Sequence, residues 1–145
     1  MIKQSKISVR HLVEFILRRG SIDNRKKSSH TALEGARIHR KLQKDAGEDY
    51  EKEVFLKTTV PLDEYHLIVE GRADGIFKRD GIYYIDEIKT SEPRFEDLEP
   101  EQVELFFHQA RVYAYIYSQE HDLQEINLQL TYFQTAEEVI TRKVE

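Results

Sequence analysis

The chain contains no cysteine. That absence removes disulfides, thiolate metal sites and cysteine-ligated iron–sulfur clusters together. A bound metal would have to be a hard cation held by carboxylates and imidazole. No apolar run approaches transmembrane length, and the N-terminus lacks the apolar segment of a signal peptide, so the expectation is a cytoplasmic protein with no membrane contact. Internal repeats and low-complexity segments are also lacking. What is present is one domain's worth of chain: 145 residues, 39% hydrophobic and 34% charged, enough for a core beneath a heavily charged surface.

The net charge of −5 hides an asymmetry. Residues 1–44 hold twelve Lys or Arg against three Asp or Glu, a balance of +9, and residues 45–145 hold ten against twenty-four, a balance of −14. The basic end is suited to a polyanion backbone and the acidic remainder to a cation, although solvated helix faces carry such charges as well.

Hydrophobic spacing predicts the order ααβββαββ, a central mixed β-sheet of about five strands flanked by helices, hence an α/β or α+β class. Ser8 caps a helix over 9–19 with Gly20 as its stop, and Ser21–Ser29 is a polar, basic loop. Thr31-Ala-Leu-Glu34 opens a second helix to about Ala46, with Ala32, Gly35, Ala36, His39 and Leu42 inward. A strand follows over 53–62, then a hairpin, then a polar loop over 90–98. Glu99-Pro100 starts the long helix, to about Glu120, with Val103, Phe106, Phe107, Ala110, Tyr113, Ala114 and Tyr117 facing the core. Two strands, over 126–134 and 138–143, complete the chain. Ending on a strand suggests that residue 145 is a cut point in a longer protein.

The hairpin carries the chemistry. It folds about Asp80-Gly81, a favoured two-residue turn, so that residues summing to 161 face each other, Asp74 and Glu87 among them. Alternation then sets Glu87, Lys89, Ile85 and Tyr83 on one face with Asp74, Arg72 and Glu70, and turns Asp86 away. Gly71, Ala73 and Gly75 share the second face, where a helix can lie close. Opposed carboxylates are destabilising unless one is protonated or a cation lies between them, and a divalent metal is the natural cation. Lys89 is either their counter-ion or a group that orients water and stabilises charge on a phosphate.

Two helices offer further candidates. His39 is either a core histidine or a metal ligand, with Gly35 one turn earlier leaving room beside the helix. Gln109 and Tyr113, four residues apart on the long helix, are neighbours that either rim the aromatic core or hold a phosphate chain.

Together these residues resemble the PD-(D/E)XK nuclease superfamily, and within it the RecB-type exonuclease domains. Gly35-x-x-x-His39 is similar to the family's helical histidine motif, and Gly71-Arg-Ala-Asp74 to its second motif, with Ala73 where some relatives have proline. Glu87-Ile88-Lys89-Thr90 is similar to the (D/E)-x-K-T motif, and Gln109-Ala-Arg-Val-Tyr113 to the Q-x-x-x-Y motif of the RecB branch. The four stand in the expected order from residue 35 to residue 113, and that order is the specific part of the resemblance.

The resemblance implies a single domain over 1–145 with a restriction-endonuclease-like core. It implies Mg2+ or Mn2+ bound by His39, Asp74, Glu87 and the Ile88 backbone carbonyl. Lys89, Glu87, Asp74, Gln109 and Tyr113 would be catalytic, and Arg37, Arg40, Gln109 and Tyr113 would contact nucleic acid. The implied reaction is phosphodiester hydrolysis by a DNA exonuclease in repair, recombination or defence. The alternative is a catalytically silent nucleic-acid-binding module that supports a helicase. Relatives often accompany a helicase, yet this chain has no Gly-rich phosphate loop and so no motor of its own. The four cysteines that hold an iron–sulfur cluster in several relatives are absent, so no such cluster is expected.

Overall fold

The hairpin turn forms as its sequence dictates. Asp80 and Gly81 both adopt positive φ (55° and 83°), as a type I′ turn requires, and residues 75–79 pair with 82–86 so that partners sum to 161. The computed structural model describes residues 3–16 and 29–145. The expected helix end at 17–19, the Gly20 stop and most of the 21–29 loop lie outside the described residues, as does the side chain of Thr31.

Six strands and three α-helices are described, in the order β1 (Lys3–Ser8), α1 (Val9–Ile16), α2 (Ser29–Asp45), β2 (Glu51–Pro61), β3 (Tyr65–Arg79), β4 (Ile82–Ser91), α3 (Pro100–His121), β5 (Ile126–Gln134) and β6 (Val139–Val144). The α/β class stands, and the order ααβββαββ is corrected by one strand at the front. Nothing in Lys3–Ser8 marks a strand, because its residues are polar or charged but for Ile7. It becomes one by pairing in parallel with β3. Ser8 then ends the strand and caps α1, its Oγ accepting the His11 N–H at 3.1 Å. Helix α2 begins two residues earlier than its capping pattern suggests, so Thr31 lies within its first turn. Helix α3 carries a reciprocal cap between Glu99 and Gln102 and ends at Asp122, which takes the left-handed conformation at φ 53°. No helix among the described residues is long and apolar enough to cross a membrane.

Strand β3 determines the topology. Strands β2 and β4 both pair with Gly75 and Ile76, so they occupy opposite edges of β3. Strands β1 and β2 both pair with residues 66–70, so they too are on opposite edges. Hence β1 and β4 share one edge: β1 takes residues 65–70, β4 takes 75–79, and residues 71–74 are left between them. Past Asp86, β4 leaves β3 and runs on beside β5, paired through Ser91↔Gln134. The sheet therefore forks at Asp74.

Side-chain alternation slips at the same residue. Val69 and Ala73 belong to the core beneath α1 and α3, and so does Ile76, which is out of step with them. Gly75 faces the other way, towards the Tyr50 ring. The couple Glu53 and Asp74 is missing from an otherwise continuous β2–β3 ladder, and Glu53 has a φ of 51°. Gln43 of α2 ties the two together: its Nε2 donates to the Asp74 carbonyl at 2.8 Å and to Glu53 Oε2 at 2.7 Å.

Three expectations are thereby corrected. Gly71 and Ala73 face α3 while Gly75 faces Tyr50, Arg72 and Glu70 lie on the face opposite Glu87, and Asp74 and Glu87, expected to face each other, are not partners because the β3–β4 ladder stops at Gly75↔Asp86. A strict two-residue period cannot register a slip. On α2 the inward residues are Ile38, Leu42 and Gln43, with Ala36 exposed. Ile38 and Leu42 pack with Ile88 and Phe133, so α2 covers one face of the sheet and α1 and α3 the other. Of the expected α3 stripe, Phe107, Ala110, Tyr113, Ala114 and Tyr117 are buried, and Val103 and Phe106 pack against them.

A Cβ at Gly75 would fall 1.9 Å from the Tyr50 ring, which is stacked on Phe77 and bonded to Asp86 and so cannot yield freely. Gly75→Ala is expected to destabilise the fold by about 1–3 kcal/mol, the usual range for overpacking. Urea denaturation measures it, and an unchanged midpoint would refute the contact.

Candidate active site

At the fork the Asp74 side chain takes the place of a missing ladder bond. Its Oδ2 accepts the Ile88 N–H at 2.7 Å, a strong bond to an ionised acceptor. Because a strand residue directs its N–H and C=O to the same edge, the Ile88 carbonyl also faces the fork. Asp74 Oδ1 lies 3.7 Å from His39 Nδ1, within ion-pair range and too long for a hydrogen bond. Gly35 lets α2 approach: a Cβ there would stand 3.1 Å from Thr90 Oγ1. His39 and Asp74 are thus brought together from α2 and β3.

Glu87 and Lys89 form the second pair. Lys89 Nζ lies 3.0 Å from Glu87 Oε2, and both are largely buried, with side chains 18% and 7% exposed. Burial raises the Glu87 pKa above the ordinary carboxylate range, with Asp74 adding to the rise while Lys89 and Arg10 oppose it. Lys89 also stands 5.3 Å over the Phe106 ring. Among the described residues no three His, Asp or Glu side chains are gathered closely enough to hold a metal. The expected set of His39, Asp74 and Glu87 is divided into two pairs, because a carboxylate buried as deeply as Glu87 draws the nearest cation to itself. In donor chemistry the set still suits a hard divalent ion: an imidazole, two carboxylates and a backbone carbonyl around one split.

Helix α3 supplies the wall. Tyr113 and Gln109 are buried. The Tyr113 ring lies over Gly71, where a Cβ would meet its hydroxyl at 2.6 Å. Burial, then Glu87 and Asp74, raise the Tyr113 pKa, while Arg10 and a hydrogen bond with the Arg72 backbone lower it. Arg37 and Arg40 are exposed on α2, Arg37 lying 3.8 Å from Glu34; they flank His39 without entering the fork.

Two features escape sequence reasoning. Arg10 acts electrostatically on both Glu87 and Tyr113, and its place follows only from β1, which carries no strand signal. Asp86, on the face opposite its neighbour Glu87, is 3% exposed. It accepts hydrogen bonds from Tyr50 Oη (2.6 Å), Thr131 Oγ1 (2.6 Å) and Gln129 Nε2 (3.1 Å). Its pKa is raised by burial and held back by those three donors. Tyr50 lies 36 residues away in the chain, beyond any local pattern.

No family model matches the chain, and no curated protein matches it. Solved structures of similar fold include the crystal structure of SSO0001, at a TM-score of 0.64 and 20% identity over 96% of this chain. The chain spans 66% of that protein's length, and the likeness is one of fold.

Asp74→Ala would leave the Ile88 N–H without its acceptor at the fork and is expected to cost about 1–3 kcal/mol, whereas Asp74→Asn keeps an oxygen there and recovers most of it. Thermal unfolding of the pair distinguishes them; equal stabilities would mean that the Asp74–Ile88 bond does not hold the fork.

Proposed function

We propose that this chain is a divalent-metal-dependent deoxyribonuclease acting as an exonuclease. The observation that carries the reading is the fork: His39, Asp74, the Ile88 carbonyl, Glu87, Lys89 and Tyr113, from two helices and two strands, surround one split in the sheet. The resemblance to PD-(D/E)XK nucleases supports it, and the Gln109–Tyr113 pair supports the RecB-type, exonucleolytic branch.

His39, Asp74, the Ile88 carbonyl and Glu87 would hold Mg2+ or Mn2+. A bound divalent ion would supply an activated water and offset the charge gathering on the phosphate. Lys89, already paired with Glu87, would transfer its charge to the attacked phosphate or orient the water. Tyr113 and Gln109 would hold the strand against α3, and Arg37 and Arg40 its backbone. With a net charge of −5, the chain would bind DNA weakly by itself, and a helicase in the same chain or complex would raise the local strand concentration. Tight DNA binding by this chain alone at physiological salt would contradict that partnership.

The Glu87–Lys89 ion pair favours a second reading, a silent nucleic-acid-binding module in which the lysine serves as a counter-ion. Labelled single- and double-stranded DNA and RNA, with Mg2+ or Mn2+, decide between them. Cleavage of DNA is expected, with a loss of about 100-fold or more in Lys89→Ala. Asp74→Asn is expected to abolish the heat of metal binding in calorimetry. Cleavage by Lys89→Ala at the parental rate would end the assignment of Lys89, and no cleavage by the parent would favour the silent module.

A further inference from the structure

Strands β1 and β2 flank the first half of β3, and alternation settles which face each side chain takes. Ile7, Val54, Leu56, Leu67, Val69 and Ala73 belong to the core beneath α1 and α3. The residues between them therefore face the other way: Lys6 on β1, Glu70 and Arg72 on β3, Phe55 and Lys57 on β2. Helix α2 packs beside them on that face, with Ile88 and Phe133 of β4 and β5. Lys6, Lys57 and Arg72 are exposed, and Phe55 is 53% exposed. Cations thus outnumber the one acid, Glu70, on this face of a chain whose net charge is −5. The register sets Phe55 directly across from Arg72, and Lys57 across from Glu70. Residues opposed in this way have Cβ atoms about 5 Å apart. Arg72 also belongs to the 71–74 stretch of β3 left between β1 and β4. It precedes Asp74 by two residues, about 7 Å along the strand, so the basic face runs up to the fork.

We propose that this face is a docking surface for a single nucleic-acid strand, with Lys6, Lys57 and Arg72 taking phosphates, Phe55 stacking a base, and the strand led along β3 to the fork. Exposed cations on a flat sheet attract any polyanion. A half-exposed aromatic ring among them selects one that carries flat apolar faces, and unpaired bases do. A duplex keeps its bases stacked on each other and cannot offer one to Phe55. The choice of nucleic acid over another polyanion rests on the nuclease reading or on its silent-module alternative, since both place a strand at the fork.

The test is fluorescence anisotropy of a labelled oligodeoxythymidine of about 12 nucleotides, titrated with the full chain in EDTA at several low salt concentrations. The combined variant Lys6→Ala, Lys57→Ala, Arg72→Ala is expected to bind about 10-fold more weakly. Its slope of log affinity against log salt is expected to flatten by about 2, the share of three phosphate contacts on a single strand. Phe55→Ala is expected to weaken binding about 5-fold or more with the slope unchanged, and Phe55→Trp to restore it. Lys143→Ala, on the distant strand β6, is expected to change neither quantity. All these positions are exposed, and thermal unfolding at the parental temperature verifies that each variant is folded. No binding by the parent up to about 100 μM at low salt, or a slope untouched by the combined variant, would overturn the proposal. Affinity indifferent to Phe55→Ala would reduce the face to an unselective polyanion surface and overturn it equally. The titration needs no cleavage, so a parent that binds without cutting ends the nuclease reading alone, and one that cuts with Phe55 and the three cations immaterial ends this proposal alone.

Discussion

The structure depends on one hydrogen bond, from the Ile88 N–H to the Asp74 carboxylate. Strand β3 is longer than any one neighbour, and β1 and β4 must share an edge of it. A gap between two strands on one edge exposes backbone donors that the ladder can no longer satisfy, and a buried orphan N–H is expensive. Asp74 fills that gap with a side chain. In doing so it holds β4 away from β3 while keeping the two in register, and the opening it maintains is the candidate site.

The irregularity is supported from three sides. Glu53, across β2, accepts a left-handed backbone conformation at the same level. Gln43 binds Glu53 and the Asp74 carbonyl through one amide nitrogen, which secures α2 to the slip and with it His39. Tyr113 lies over Gly71 from the other face. Strain of this kind persists only where its surroundings overdetermine it, and here three elements outside β3 do so.

Burial then divides the charges. Glu87 and Asp86, adjacent in sequence and both buried, are satisfied in different ways: Glu87 by a cation, Asp86 by three neutral donors. A carboxylate answered by fixed neutral dipoles is a structural unit. One answered by a lysine that borders an opening can exchange its partner for another charge, and that difference supports a reactive role for Glu87 and a supporting one for Asp86.

The sequence by itself determined the elements whose causes are local. The type I′ turn at Asp80-Gly81, the register of residues 75–79 with 82–86 that follows from it, the capped and proline-started α3, and the opposite facing of Asp86 and Glu87 all arise from contacts within a few residues or one hairpin. The tertiary structure alone decided the rest. Strand β1 has no pattern of its own and exists because β3 offers it an edge. The slip at Asp74 breaks the very periodicity from which faces are read. The Tyr50–Asp86 bond and the Gln43 bridge join residues far apart in the chain, and the nearness of His39 to Asp74 required α2 to settle on the sheet. Local sequence reports local energies, and a site built at a fork is made of the places where the chain departs from them.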